Sequence, residues 1–156
     1  MKYGRVDGAV ETKGFQKWIE LNSFAWGCSR NIDIPTGGAA TREMSTPTVK
    51  NVTVTKRLDR STPNLMLEAL AGTHESQVSI AFTTTEKGGV GPYLTYKLWE
   101  CALTGYDIDT RGSDALLETL VINFAKIECK YVEHNAQGKA DATLAVGYDL
   151  AAMRRI

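Results

Sequence analysis

The stretch Tyr93-Leu94-Thr95-Tyr96-Lys97-Leu98-Trp99-Glu100-Cys101-Ala102-Leu103-Thr104-Gly105-Tyr106-Asp107-Ile108-Asp109 decides the fold. Leu94, Tyr96 and Leu98 share one face of an extended chain. Trp99, Cys101 and Leu103 then take the other face, and Tyr106 and Ile108 follow a break at Gly105. Strand side chains alternate with a period of two. The apolar face therefore changes sides only where an extra residue forms a β-bulge, or where the strand bends between sheets. The same change runs through Leu117 to Glu133, where Leu120, Ile122 and Phe124 give way to Ile127, Cys129 and Tyr131. It recurs between Ile19, Leu21 and Phe24, Trp26, Cys28. Long strands that turn at mid-length are what the corners of a small barrel or an orthogonal sandwich require. Shorter alternating runs complete the set: Val52, Val54; Val78, Ile80, Phe82; Leu144, Val146, Tyr148. The expected fold is mainly β, an antiparallel β-barrel-like domain.

One helix interrupts the strands. Ser61-Thr62-Pro63-Asn64 offers a hydroxyl N-cap and a proline in the first turn, where its missing N–H costs nothing. Good helix formers from Leu65 to Ala71 follow, and Gly72 is placed for a left-handed C-cap. The spacing predicts a helix over residues 63–71. So short a helix is marginal alone, so its Leu/Met face is expected to dock on the sheet.

At 156 residues the chain fits one domain, residues 1–156, with room for a real core. Hydrophobic residues make up 43% and charged residues 23%, which excludes a disordered chain. Lys and Arg number 18 and so do Asp and Glu, so no global field points to nucleic acid. No apolar run reaches the roughly 18 residues of a membrane-spanning helix, and membrane insertion is not expected. The first eight residues lack the apolar stretch of a secretory signal.

Residues 32–47 are different, an extended loop rich in Gly, Pro and Thr whose length suits a functional role. Cys28, Cys101 and Cys129 are an odd number at wide spacing, expected as buried thiols rather than disulfides or zinc ligands. His74 and His134 stand apart in turn-like sequence and suggest no catalysis. Asp107, Asp109, Gly112 and Glu118 have calcium-loop spacing. Arg111 sits where an oxygen ligand is needed, so a polar hairpin loop is the better reading. Lys87 to Pro92 lacks the end of a phosphate loop and reads as a hairpin connection. Lys50, Lys56, Arg57 and Arg60 are expected on a solvated strand rim rather than in a nucleic-acid groove. No metal site, cofactor or enzyme activity is expected, since no nucleophile–base arrangement is recognisable.

Three segments together resemble one family. They are Trp18-Ile19-Glu20-Leu21-Asn22-Ser23-Phe24-Ala25-Trp26-Gly27; the run from Thr55 to Gly72, with Ser61-Thr62-Pro63-Asn64-Leu65 at its centre; and the run from Leu117 to Tyr131. The chain resembles the haemolysin-coregulated protein (Hcp) family, inner-tube subunits of bacterial type VI secretion systems. The resemblance implies a β-barrel subunit with a lateral helix, forming homohexameric rings that stack into a hollow tube. It implies as partners other copies of the chain, a spike protein at the tube tip, a contractile sheath and secreted effectors carried in the lumen. It also implies a bacterial cytoplasmic location before firing and secretion or injection afterwards. Ser23, Ala25, Gly27 and Ser29 form a small-residue face opposite Phe24, Trp26 and Cys28, and are expected to line the lumen. Pro35, Thr36, Gly37, Gly38 and Thr41 are expected in ring-to-ring contact. Alternatives are a monomeric β-barrel ligand-binding module and the tail-tube protein of a phage-like contractile particle.

Overall fold

The computed structural model describes residues 1–33, 43–44, 46–72, 76–86, 89–110, 116–135 and 140–156. Among them, chain order gives β1 (Lys2–Tyr3), β2 (Ser23–Ala25), β3 (Cys28–Ser29), β4 (Ile32–Asp33), β5 (Glu43–Met44), β6 (Thr48–Val49) and β7 (Val52–Arg57). The helix α1 (Thr62–Ala71) follows, then β8 (Ser76–Glu86), β9 (Gly89–Asp109), β10 (Leu117–Asn123), β11 (Lys126–His134), β12 (Ala140–Asp149) and β13 (Arg154–Arg155).

Nine strands form one curled antiparallel sheet in the order β13-β12-β11-β9-β10-β7-β2, with β8 and β1 branching from β9. The sheet forms a half-barrel, as the alternation predicts. Its centre is β9, 21 residues long. The first half of β9 pairs with β8 and β11, and the second half with β10. Both expected face changes in β9 occur at inserted residues. Ser76 opposes Cys101 and Val78 opposes Leu98, so one extra residue sits near Glu100, which has φ of 55°. Left-handed backbone at a non-glycine residue is uncommon, and here it turns the strand. The second insertion is Thr104, skipped between the Val121–Gly105 and Ile122–Leu103 pairs, and a third is Tyr93, skipped between the Phe82–Leu94 and Thr83–Pro92 pairs.

The other two face changes are chain breaks. Residues 117–134 form two strands: β10 ends at Asn123 and β11 starts at Lys126, with the Ala125 N–H donating to the Trp99 carbonyl. The run from Trp18 to Cys28 is likewise divided, with only Ser23–Ala25 and Cys28–Ser29 extended. The break between β10 and β11 lets the chain follow the bend of β9, whose two halves they pair.

The core lies inside the curl. Val52 and Val54 of β7, Leu120 and Ile122 of β10, and Val78, Ile80 and Leu98 are almost wholly buried. The helix starts one residue earlier than predicted. Ser61 adopts helical backbone with no side-chain cap bond, because its hydroxyl donates to Asp59 instead. Gly72 is left-handed at φ 67°, and its N–H donates to the Glu68 carbonyl, as expected. The expected docking of the Leu/Met face holds only for Leu65, which is fully buried, while Met66, Leu67 and Leu70 are exposed.

Candidate functional site

Three cross-strand rows of side chains run over one face from β8 across β9 and β11 to β12. They are Val78–Leu98–Ile127–Tyr148, Ile80–Tyr96–Cys129–Val146 and Phe82–Leu94–Tyr131–Leu144. At the β8 end the rows are covered. The Phe24 ring lies 5.3 Å from Phe82 and 5.3 Å from Tyr96, and Trp26 lies 6.0 Å from Tyr96. At the β12 end nothing among the described residues covers them, and Leu144 and Val146 are 67% and 71% exposed. Tyr131 beside them is also exposed.

The backbone is open at the same two margins. β12 meets β13 only at Tyr148 and Asp149, leaving its outer edge unpaired from Ala140 to Val146 among the described residues. Among the described residues β8 meets β1 only at Val78 and Ser79, leaving Ile80 to Glu86 unpaired on that side. A groove of about 870 Å³ runs along this β8 edge, walled by Ile80, Phe82, Thr83 and Thr85 on one side and by Phe15, Trp18, Leu21 and Phe24 on the other.

A second cluster is closed. Lys56 and Glu118 oppose each other on β7 and β10, and both side chains are fully buried. The Lys56 ammonium donates to Glu118 and also meets Asp59 Oδ1 at 3.1 Å. Glu118 further accepts from Thr62 Oγ1 at 2.9 Å and from the Tyr106 hydroxyl at 2.6 Å. Asp59 accepts from the Ser61 N–H and hydroxyl, and from the Ala9 N–H at 3.1 Å. Burial pushes the Asp59 carboxyl up, but hydrogen bonds from Ser61 and Lys56 outweigh it and hold the group below its ordinary range. Burial, with the Glu118 carboxylate next, pushes the Tyr106 phenol well up. The set ties β7, β10, β9 and the start of α1 together.

Several expected placements change. Lys56 is not on a solvated rim, although Lys50, Arg57 and Arg60 are exposed. Glu118 belongs to this buried cluster and not to a polar loop. Of the three cysteines expected to be buried, Cys101 is buried and Cys129 partly so, but Cys28 is exposed, because β3 begins a new extended segment. Burial pushes the Cys101 thiol up to about 12. Ser23 and Ala25 are exposed on β2, Ser29 is exposed on β3, and a Cβ at Gly27 meets open space. Pro35, Thr36, Gly37, Gly38 and Thr41 lie outside the described residues.

Residues 1–131 match the family model described as "Type VI secretion system effector, Hcp". The chain belongs to the Hcp family. A curated relative, protein Hcp1 of Pseudomonas aeruginosa, is 29% identical over 144 residues, covering 90% of this chain and 86% of the relative. A solved type six secretion system protein superposes with a TM-score of 0.89 at 24% identity, covering 99% of this chain and 96% of the other. Hcp1 from Salmonella typhimurium gives 0.75 at 22% identity, with both chains fully covered. These likenesses carry the fold.

In this Hcp-family chain the Thr55–Gly72 run that bore the resemblance supplies Lys56, Asp59, Ser61 and Thr62, so it holds the buried cluster. The cluster was visible in the phase of the strands. Lys56 follows Val52 and Val54 at even spacing, and Glu118 precedes Leu120 and Ile122. The open margin of β12 had no such signal, because alternation marks an apolar face without saying whose core it meets.

Proposed function

We propose that this Hcp-family type VI secretion protein is a tube subunit. Six copies form a ring, rings stack into a hollow tube, and effectors travel in the lumen. A spike protein sits at the tip, a contractile sheath lies outside, and the tube leaves the bacterial cytoplasm on firing. The observation that carries this is a sheet that, among the described residues, ends in unpaired backbone at both margins, with bare apolar side chains at one of them. Such edges invite aggregation unless another chain pairs with them, and repeated head-to-tail pairing closes rings. The net charge of zero adds no long-range repulsion between copies.

Light scattering on the purified chain tests the reading. A particle of about six chains supports it, and a stable single chain of 17.1 kDa rejects it in favour of a monomeric binding module. Neighbouring sheath and ATPase genes would separate a secretion tube from a phage-like tail tube. Within the ring, Ser23, Ala25, Gly27 and Ser29 are proposed to line the lumen, and Pro35, Thr36, Gly37, Gly38 and Thr41 to meet the next ring. An Ala25→Arg variant that keeps ring mass and alters cargo retention supports the lumen position, whereas ring loss counts against it.

A further inference from the structure

We infer that residues 8–18 form a hinged lid beside the β8 groove, latched in place by Asp59 and released when that carboxylate takes a proton. The latch lies within one copy and does not depend on the ring reading. The segment is built as a unit. Its ends meet where the Gly8 N–H donates to the Lys17 carbonyl at 2.9 Å, and a Cβ at Gly8 would run into the Trp18 carbonyl. Inside it, Val10 bonds to Lys17 and Trp18, and the Phe15 and Trp18 rings meet edge to face at 5.1 Å. A compact loop with joined ends, packed by its own side chains, can turn as one body. Space lies on both sides of it. The 870 Å³ groove separates Phe15 and Trp18 from β8, and a cavity of about 460 Å³ separates Ala9 and Val10 from Arg57, Leu58 and Asp59. Among the described residues, the bond from the Ala9 N–H to Asp59 Oδ2 is the one hydrogen bond joining residues 8–18 to any residue beyond 19.

The two oxygens of Asp59 serve different donors. Oδ1 accepts from the Ser61 N–H and hydroxyl and meets the Lys56 ammonium at 3.1 Å, whereas Oδ2 accepts from Ala9. Behind Lys56 stands Glu118 of β10, bonded in turn to Tyr106 of β9 and Thr62 of α1. Glu20 and Arg57 line the cavity on the open side. A protonated carboxyl keeps one full acceptor oxygen. The ammonium and the Ser61 donors hold that acceptor at Oδ1, so the proton settles on Oδ2 and faces the Ala9 N–H donor to donor. The latch bond is then lost while the Lys56–Glu118 pair remains. Burial opposes the charged carboxylate, but the bonds from Ser61 and Lys56 outweigh it and keep the group ionised below the ordinary aspartate range. The lid is therefore fixed at neutral pH and loosens only in acid.

Limited trypsin digestion at neutral pH tests the latch on full chains compared at equal particle size. The two cut sites followed are Lys13, exposed in the lid, and Lys56, buried in the body. Ala9→Pro removes the donor and leaves the cluster whole. Asp59→Asn copies the protonated state, with its amide nitrogen where the proton would sit. Each variant is expected to speed cutting after Lys13 about two- to tenfold, the change one ordinary hydrogen bond makes in an equilibrium, and to speed it more than cutting after Lys56. In the unaltered chain the Ala9 amide is expected to lose hydrogen-exchange protection as pH falls toward about 3, while the Gly8 amide keeps its own. Native cutting after Lys13 in both variants overturns the latch. A rise that Lys56 shares in full also overturns it, because that is general loosening. So does an Ala9 amide whose protection ignores pH or falls only together with that of Gly8. A chain that proves to be a stable single copy removes the ring reading and leaves the latch standing.

Discussion

At the β7–β10 end of the molecule Lys56 and Glu118 are buried, Asp59 is half-buried and all three are hydrogen-bonded, whereas along β12 Leu144 and Val146 stand exposed beside backbone unpaired among the described residues. Burying an ammonium and a carboxylate is the harder task, because desolvation costs several kcal/mol per ion, about as much as their mutual attraction returns. A chain that accomplishes it is not short of means to cover two aliphatic side chains. The bare margin of β12 is therefore no failure of packing. The closed cluster fixes the geometry of one copy, and the open margin is left for a contact outside it.

Breaking the closed side should have the largest effect. Lys56→Met leaves the Glu118 carboxylate buried without its cation and should cost about 3–5 kcal/mol, measured by denaturant unfolding. Adding Glu118→Leu should recover much of that loss, since an apolar pair of similar volume often replaces a buried ion pair without penalty. No recovery would mean that Thr62 and Tyr106 depend on the carboxylate as well.

Tyr106→Phe removes one donor to Glu118 and should cost about 1–3 kcal/mol, the usual range for an acceptor left short of a partner in the interior. Acid sharpens the contrast further. The Asp59 carboxyl is held below its ordinary value in the folded chain, so the folded state binds fewer protons there than the unfolded state. Its contribution is fully present above the unfolded pKa of about 3.9 and fades as pH falls below it through the depressed value. Asp59→Asn should flatten the unfolding profile below about pH 4, with a Leu144→Lys, Val146→Lys variant keeping the native slope. Smallest is a matter of reactivity. Cys28 should label quickly with a thiol reagent in the native chain, and Cys101 only after unfolding, because burial keeps its thiol protonated.

Much of the fold was legible because β-structure writes itself with a period of two. Two of the three insertions in β9 fall within a residue or two of where the apolar face changes sides at Trp99 and Gly105, whereas the third, at Tyr93, had no such signal. The breaks at Phe124–Ala125 and Leu21–Asn22 were not legible as breaks, since a bulge and a gap change the phase alike. Lys56 and Glu118 were in phase with the core, but ordinary expectation places charge outside and hid them. The exposed Leu67 and Leu70 of α1 and the bare face of β12 look in sequence like any buried stripe. Which apolar face stays open depends on where the sheet stops curling, and no local pattern encodes that.

β9 has one more consequence. It is a single covalent thread of 21 residues, roughly 70 Å when extended, and it is stitched to β8 and β11 along one half and to β10 along the other. Tension applied to one half of the half-barrel therefore reaches the other through chemical bonds, and not only through side-chain adhesion. Pulling along this thread strains many ladder bonds in parallel, so the subunit should resist stretch in that direction far better than peeling from β12.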